Sequence, residues 1–355
     1  MCVASLPKNL GVLQIEPTDL CNLACRMCAP HAEGWSTVHG VPKGRMTREV
    51  HARALDALVR EDCRFDHVIY QWLGDPSTHP ELEELLAEAS FALEGRADYL
   101  RVDTNAVLLG PARIERLLAA RNPRMPLLVV ITLDAATRAT YARVKGRDHF
   151  GLATRHARHL LSARRRHLSG VHLQLQFVVQ PGNAHEAGDF LRTWEAAARC
   201  RAHEGSHVEV LFKPLSVGGG ARGQADADAL YADTLAQAAI VAREEPGFAV
   251  RAWSDKPWQR DDATVAAKST SPCPGPWLTP VLRHDGALQA CCSDLGGTHV
   301  LGNVAAEGFL PLWNGPRARA LRAELLAGGR PGACAGCGGI NWYALPPGAA
   351  VTVEG

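Results

Sequence analysis

No stretch of this sequence approaches the about 20 uninterrupted apolar residues that a membrane-crossing helix needs, so no span is expected. The opening MCVASLPKNLGVLQ lacks a basic end followed by a long apolar run. It therefore does not read as a signal peptide, and a cytoplasmic location is the expectation. Charge of one sign is also missing: the formal balance is +1, which argues against nucleic-acid or anionic-membrane partners. Internal repeats and low-complexity tracts are absent as well. What remains is an ordinary globular composition, 46% hydrophobic and 21% charged over 355 residues. That length suits one large domain and a smaller one.

Cysteine is the exception to this plainness. Eleven cysteines, an odd number, in a chain without a secretion signal argue against a disulfide framework and toward metal binding or catalysis. The rest of the pattern is repetitive. Apolar runs such as VLQIEPT, DHVIYQWLG, YLRVDTN, PLLVVITLD, VHLQLQFVVQ and HVEVLFKPL alternate with helical stretches such as PELEELLAEASFAL. Six strands alternating with helices indicate parallel β/α units with right-handed crossovers, closed as a barrel or open as a doubly wound sheet. After about residue 250 the alternation stops, and LTPVLRHDGALQACC reads as a hairpin turning at Asp285-Gly286. The expected domains are therefore 1–250 and 251–355.

Cys21, Cys25 and Cys28 follow the first strand within EPTDLCNLACRMCAPH. Their spacing fits one buried helix face. It also fits a zinc site completed by His31, or an iron-sulfur cubane with one iron left open. Later, Cys273, Cys291 and the pair Cys334 and Cys337 combine a hairpin with a distant C-x2-C. That set alone reads as zinc as readily as iron. Cys292 is an alternative to Cys291, because strand neighbours point to opposite faces.

C-x3-C-x2-C after the first strand of a β/α domain resembles the radical S-adenosylmethionine (radical SAM) superfamily. The resemblance implies a partial (β/α)6 TIM-like barrel. It also implies that the open iron of a four-iron cluster chelates S-adenosylmethionine and reduces it to a 5′-deoxyadenosyl radical. QWLGDPSTHPEL resembles the family's glycine-rich motif that holds the cosubstrate's amino group, here through Gly74 and Asp75, though Leu73-Gly74-Asp75 departs from it in two of three letters. Polar residues ending the next strands, Thr104, Asn105, Thr132 and Asp134, then correspond to carboxylate and ribose contacts. Parallel barrels gather sites at these C-terminal strand ends. Capping of the following turn is the structural reading of the same residue types.

The C-terminal cysteines resemble the twitch form of the SPASM domain, a small auxiliary-cluster domain of a hairpin plus a short helix. The resemblance implies a second four-iron cluster ligated by Cys273, Cys291, Cys334 and Cys337. The implied partners are a flavodoxin- or ferredoxin-type electron donor and a small-molecule substrate. GGGARG, residues 218–223, matches a dinucleotide turn literally, but Asp255 comes too late for the ribose-binding acid.

Removing hydrogen from an unactivated carbon needs a cofactor. Passing the remaining electron to an auxiliary cluster turns an alcohol into a ketone, whereas a thiol returning hydrogen gives an epimerase. Cys63 and Cys200 end helices at the barrel floor and Cys2 precedes the first strand, so Cys292 is the candidate hydrogen donor. Lys213, Gln176 and Gln180 end strands and suit a hydroxylated substrate. Oxidation is the favoured outcome. The resemblance points to sugars or aminocyclitols, since peptide-modifying members commonly carry an added N-terminal recognition domain. An NAD-dependent dehydrogenase and a zinc-stapled binding module are the readings from other classes.

Overall fold

A computed structural model describes residues 9–28, 37–38, 41–167, 170–199, 208–215, 221–244, 251–252, 272–335, 337 and 339. Cys2, His31, Cys200, Asp255 and residues 218–220 of the glycine-rich stretch lie outside them. The chain opens with β1 (Val12–Ile15), β2 (Thr37–Val38), β3 (Val41–Pro42), α1 (Arg48–Arg60) and β4 (Phe65–Tyr70). Then come α2 (Leu82–Ala92), β5 (Ala97–Thr104), α3 (Pro111–Ala120), β6 (Leu127–Thr132), α4 (Arg138–Lys145) and α5 (Phe150–Ala163). They are followed by β7 (Val171–Val179), α6 (Ala187–Arg199), β8 (Val208–Pro214), α7 (Ala221–Glu244) and β9 (Arg251–Ala252). The C-terminal part holds α8 (Gly275–Leu278), β10 (Val281–Leu282), β11 (Ala287–Gln289), β12 (Val300–Asn303), α9 (Val304–Glu307), α10 (Phe309–Trp313) and α11 (Pro316–Leu326). Helix starts carry their expected caps: Thr47 accepts from Val50 N–H before α1, and Thr137 from Thr140 N–H before α4.

Contacts divide the chain into two compact units. One comprises residues 1–20, 36–100 and 257–355, the other residues 21–35 and 101–256. In the first unit the strand order is β12-β11-β10-β1-β4. β1 runs parallel to β4, with Val12 opposite His67 and Ile15 opposite Tyr70. The predicted hairpin is there, with Val281 opposite Gln289 and Leu282 opposite Leu288. Its first strand does not stay within the C-terminal segment: β10 pairs in parallel with β1, Gln14 opposite Val281. Continuing the β1 ladder satisfies the backbone groups on an otherwise open edge.

In the second unit β6, β7, β8 and β9 are successive parallel neighbours. Phe177 of β7 packs on Phe190 of α6 and Phe212 of β8, with ring centroids 5.0 and 5.5 Å apart. The odd residues of β7 therefore lie under the helix, and Gln174, Gln176 and Val178 face away from it. Register brings Val130 and Thr132 of β6, and Glu209, Leu211 and Lys213 of β8, to that same face, opposite α6.

Candidate radical and auxiliary-cluster sites

Residues 21–28 form a loop without helix or strand, and Cys21, Cys25 and Cys28 are partly exposed and not joined in disulfides. A buried helix face is thereby excluded. Three contacts within the second unit fix the loop. Asn105, just past β5, donates through Nδ2 to Asn22 Oδ1 at 2.8 Å. Gln180, just past β7, reaches Met27 Sδ at 3.5 Å. The carbonyls of Val144 and Lys145, unpaired at the end of α4, accept from Arg26 and Ala24 N–H, both at 3.2 Å. Gly146 follows with φ +70°, and a Cβ there would collide with the Ala24 carbonyl, so only glycine permits this docking. The Leu23 N–H donates to Cys21 Sγ at 3.5 Å.

Of the residues expected to hold S-adenosylmethionine, Gln176 shares one feature with Asn22, which sequence reasoning did not single out. Asn22 Nδ2 and Gln176 Oε1 are buried and have no hydrogen-bond partner in the protein. Leaving such groups unpaired is costly, so they fit a polar ligand beside the cysteine loop. Gln176 Nε2 meets Thr132 Oγ1 at 3.2 Å. Lys213 stands in register with Val178 at the end of the same face. Three others have their side chains engaged within the protein. Asp75 caps the next turn, accepting from Ser77 N–H and Oγ at 2.9 and 2.5 Å. Thr104 accepts from Ala106 N–H at 3.0 Å and faces away from solvent. Asp134 is 0% exposed, takes Lys145 Nζ on Oδ2 at 2.6 Å and the Val178 N–H on Oδ1 at 2.6 Å. Its own φ is +58°, held by Asn183 donating to its carbonyl. Capping engages Asp75 and Thr104, and ion pairing engages Asp134. Gly74 packs so tightly on the Thr18 and Leu20 carbonyls that any Cβ would clash, and Asp75 N–H donates to Leu20 O. The glycine thus fixes the strand-end segment that leads into Cys21.

Sequence reasoning missed Glu16, Asp19 and His284 as a group. Glu16 accepts from Leu73 N–H at 3.2 Å, and Asp19 lies 3.6 Å from His284 Nε2. Burial, opposed by His284 and reinforced by Asp19, pushes the Glu16 carboxyl up to about 7. Burial disfavours the His284 cation, but Asp19 and Glu16 outweigh it and raise the imidazole above its ordinary value. Because the folded state holds the Glu16 proton more tightly than the unfolded chain, stability attributable to it is lost as pH rises from 4.5 to 7. Glu16→Gln should therefore match wild type near pH 4 and exceed it by roughly 3 kcal/mol above pH 7. Denaturation midpoints of the two proteins across that range check this. A difference that shrinks as pH rises contradicts it. The glutamate of E-P-T-D-L-C, at the end of a buried strand, was the available signal.

Four thiols of the first unit, those of Cys273, Cys291, Cys334 and Cys337, line one cavity of about 240 Å³. Cys292 is not in its wall, and its carbonyl accepts from Trp72 Nε1 at 2.9 Å. Cys291 Sγ accepts from Ser293 N–H at 3.5 Å, and Cys337 Sγ from Gly339 N–H at 3.3 Å. Such N–H···S bonds also tune iron-sulfur centres. Burial and the neighbouring charges of Cys291, Cys273 and Cys337 push the Cys334 thiol up to about 11. The crowding calls for a positively charged core, and a bound cation deprotonates such thiols outright. Among the described residues, no three His, Cys, Asp or Glu side chains converge to grip a single metal ion. A set spread around a cavity suits a cluster better than zinc. Cys63 is buried, and its thiol is pushed up to about 12, so it is inert.

Residues 15–173 match the Radical SAM superfamily, and the chain is a radical SAM enzyme. Residues 273–338 match the iron-sulfur cluster-binding domain SPASM. It is thus a member that pairs the SAM-binding domain with a C-terminal SPASM domain. Its cofactors are S-adenosylmethionine with its four-iron cluster and an auxiliary iron-sulfur centre. A GTP 3′,8-cyclase of Synechococcus sp. (strain CC9902) is 33% identical over 140 residues, 39% of this chain and 36% of that protein. The match therefore spans little more than a third of that relative. The structure of anSMEcpe with bound AdoMet shares 16% identity and a TM-score of 0.59, covering 87% of this chain and 79% of that one. SuiB of Streptococcus suis gives 14% and 0.56, covering 89% and 68%. These likenesses show the fold: the α/β, parallel-stranded partial barrel with C-terminal antiparallel strands and short helices. No helix among the described residues is long and apolar enough to cross a membrane.

Proposed function

We propose that this enzyme oxidises a small hydroxylated substrate, a sugar or aminocyclitol, from alcohol to ketone. Cys21, Cys25 and Cys28 hold the S-adenosylmethionine cluster, and Cys273, Cys291, Cys334 and Cys337 the auxiliary one. When bound, the first supplies a carbon-centred radical that takes hydrogen, and the second an acceptor for the electron left behind. The single observation that carries the reading is the complete four-thiol wall of the auxiliary cavity. A cluster with every iron ligated by protein has no seat for substrate and is free to take an electron. Flavodoxin or ferredoxin is the proposed source of the first electron.

The face of β6 to β8 opposite α6 supports a polar substrate. Gln174 is fully buried, donates Nε2 to Glu209, and is left with an unpartnered Oε1 next to that of Gln176. Two acceptors aligned on one face suit hydroxyl or amino donors. Lys213, in register at the C-terminal end of that face, is the residue assigned in this reading to take the hydroxyl proton, in its neutral form.

Anaerobic reconstitution should give about eight irons and, on reduction, 5′-deoxyadenosine. In deuterated solvent, a panel of sugars, aminocyclitols, GTP and cysteine-containing peptides is then offered to it. A ketone without deuterium at carbon supports the reading. A product epimerised with solvent deuterium, lost in Cys292→Ala with both clusters intact, would establish the epimerase instead. Cyclised GTP would favour the chemistry named for the Synechococcus relative.

A further inference from the structure

We infer that Lys145, paired with Asp134, is a positioning residue that fixes Cys25 and sets the charge beside the S-adenosylmethionine cluster. The inference rests on the assignment of Cys21, Cys25 and Cys28 as that cluster's ligands. The carbonyls of Val144 and Lys145 take the N–H groups on either side of Cys25, those of Ala24 and Arg26. The end of α4 therefore grips the loop at its middle ligand. That geometry carries an electrostatic problem: a helix C-terminus is a partial negative pole, here aimed at a loop of thiolates. Lys145 supplies the opposing charge. Its side chain is 3% exposed and its ammonium meets Asp134 Oδ2 at 2.6 Å. Asp134 is in turn immobilised by Val178 N–H and Asn183 Nδ2. Asp134 and then Cys25 both interact electrostatically with the Lys145 ammonium. Buried charge pairs are rarely retained for stability alone, since apolar replacements often do as well.

Reduction adds a negative charge to the cluster, so a nearby cation favours the reduced state and a nearby anion opposes it. Opposite substitutions must then shift the potential in opposite directions. The test is an EPR-monitored reductive titration of reconstituted holoenzyme, following the signal that S-adenosylmethionine alters. Lys145→Met should move its midpoint to more negative potential, Asp134→Asn to less negative potential, and Lys145→Arg should leave it near wild type. A purely structural role would move both non-conservative variants the same way or neither, which overturns the inference. If Lys145→Met does not fold, as circular dichroism will show, Asp134→Asn decides by its sign. A wild-type enzyme lacking any signal responsive to S-adenosylmethionine overturns the ligand assignment itself. A normal signal indifferent to these substitutions overturns only the role of Lys145.

Discussion

Cys25→Ala, reconstituted anaerobically with iron and sulfide, will bind about four irons instead of about eight and form no 5′-deoxyadenosine on reduction. The fold should survive, because the loop is anchored by its backbone N–H groups and the side chains of Asn22 and Met27. With one of three ligands gone, an open-cornered cubane cannot be kept. The auxiliary cavity, built wholly from residues 272–339, keeps its own four. Retention of full iron with undiminished 5′-deoxyadenosine would show that Cys25 ligates nothing. Complete loss of iron would show that the two sites do not assemble independently.

Cys334→Ala separates the two clusters from the other side. About half the iron again disappears, but cleavage of S-adenosylmethionine continues while oxidised product falls below detection. Cys334 is an informative choice because Cys291, Cys273 and Cys337 all act on it electrostatically. Iron analysis with parallel quantification of 5′-deoxyadenosine and product makes the measurement. Undiminished product would remove the auxiliary cluster from the reaction and, with it, the proposed oxidation.

Much of this was legible in the chain. Six apolar runs became β1, β4, β5, β6, β7 and β8, because buried parallel strands need continuous apolar sequence. The Asp285-Gly286 turn was found for a local reason, its own residue chemistry. The cysteines could be read because few chemistries need three thiols in eight residues. The duties of Asp75, Thr104 and Asp134 were not legible: a polar residue at a strand end caps or contacts ligand, and only the partners decide which. Lys145 resembled any helix-end lysine until Asp134 appeared beside it.

By itself, then, the sequence determined the element order, the thiol chemistry and the class of enzyme, since all three depend on residue type and short-range spacing. Tertiary structure alone decided that β10 extends β1, that Cys291 and not Cys292 enters the cavity wall, and that Asn22 Nδ2 and Gln176 Oε1 are buried without a partner. Those facts depend on long-range pairing and on which face of a strand is covered. No local pattern encodes either.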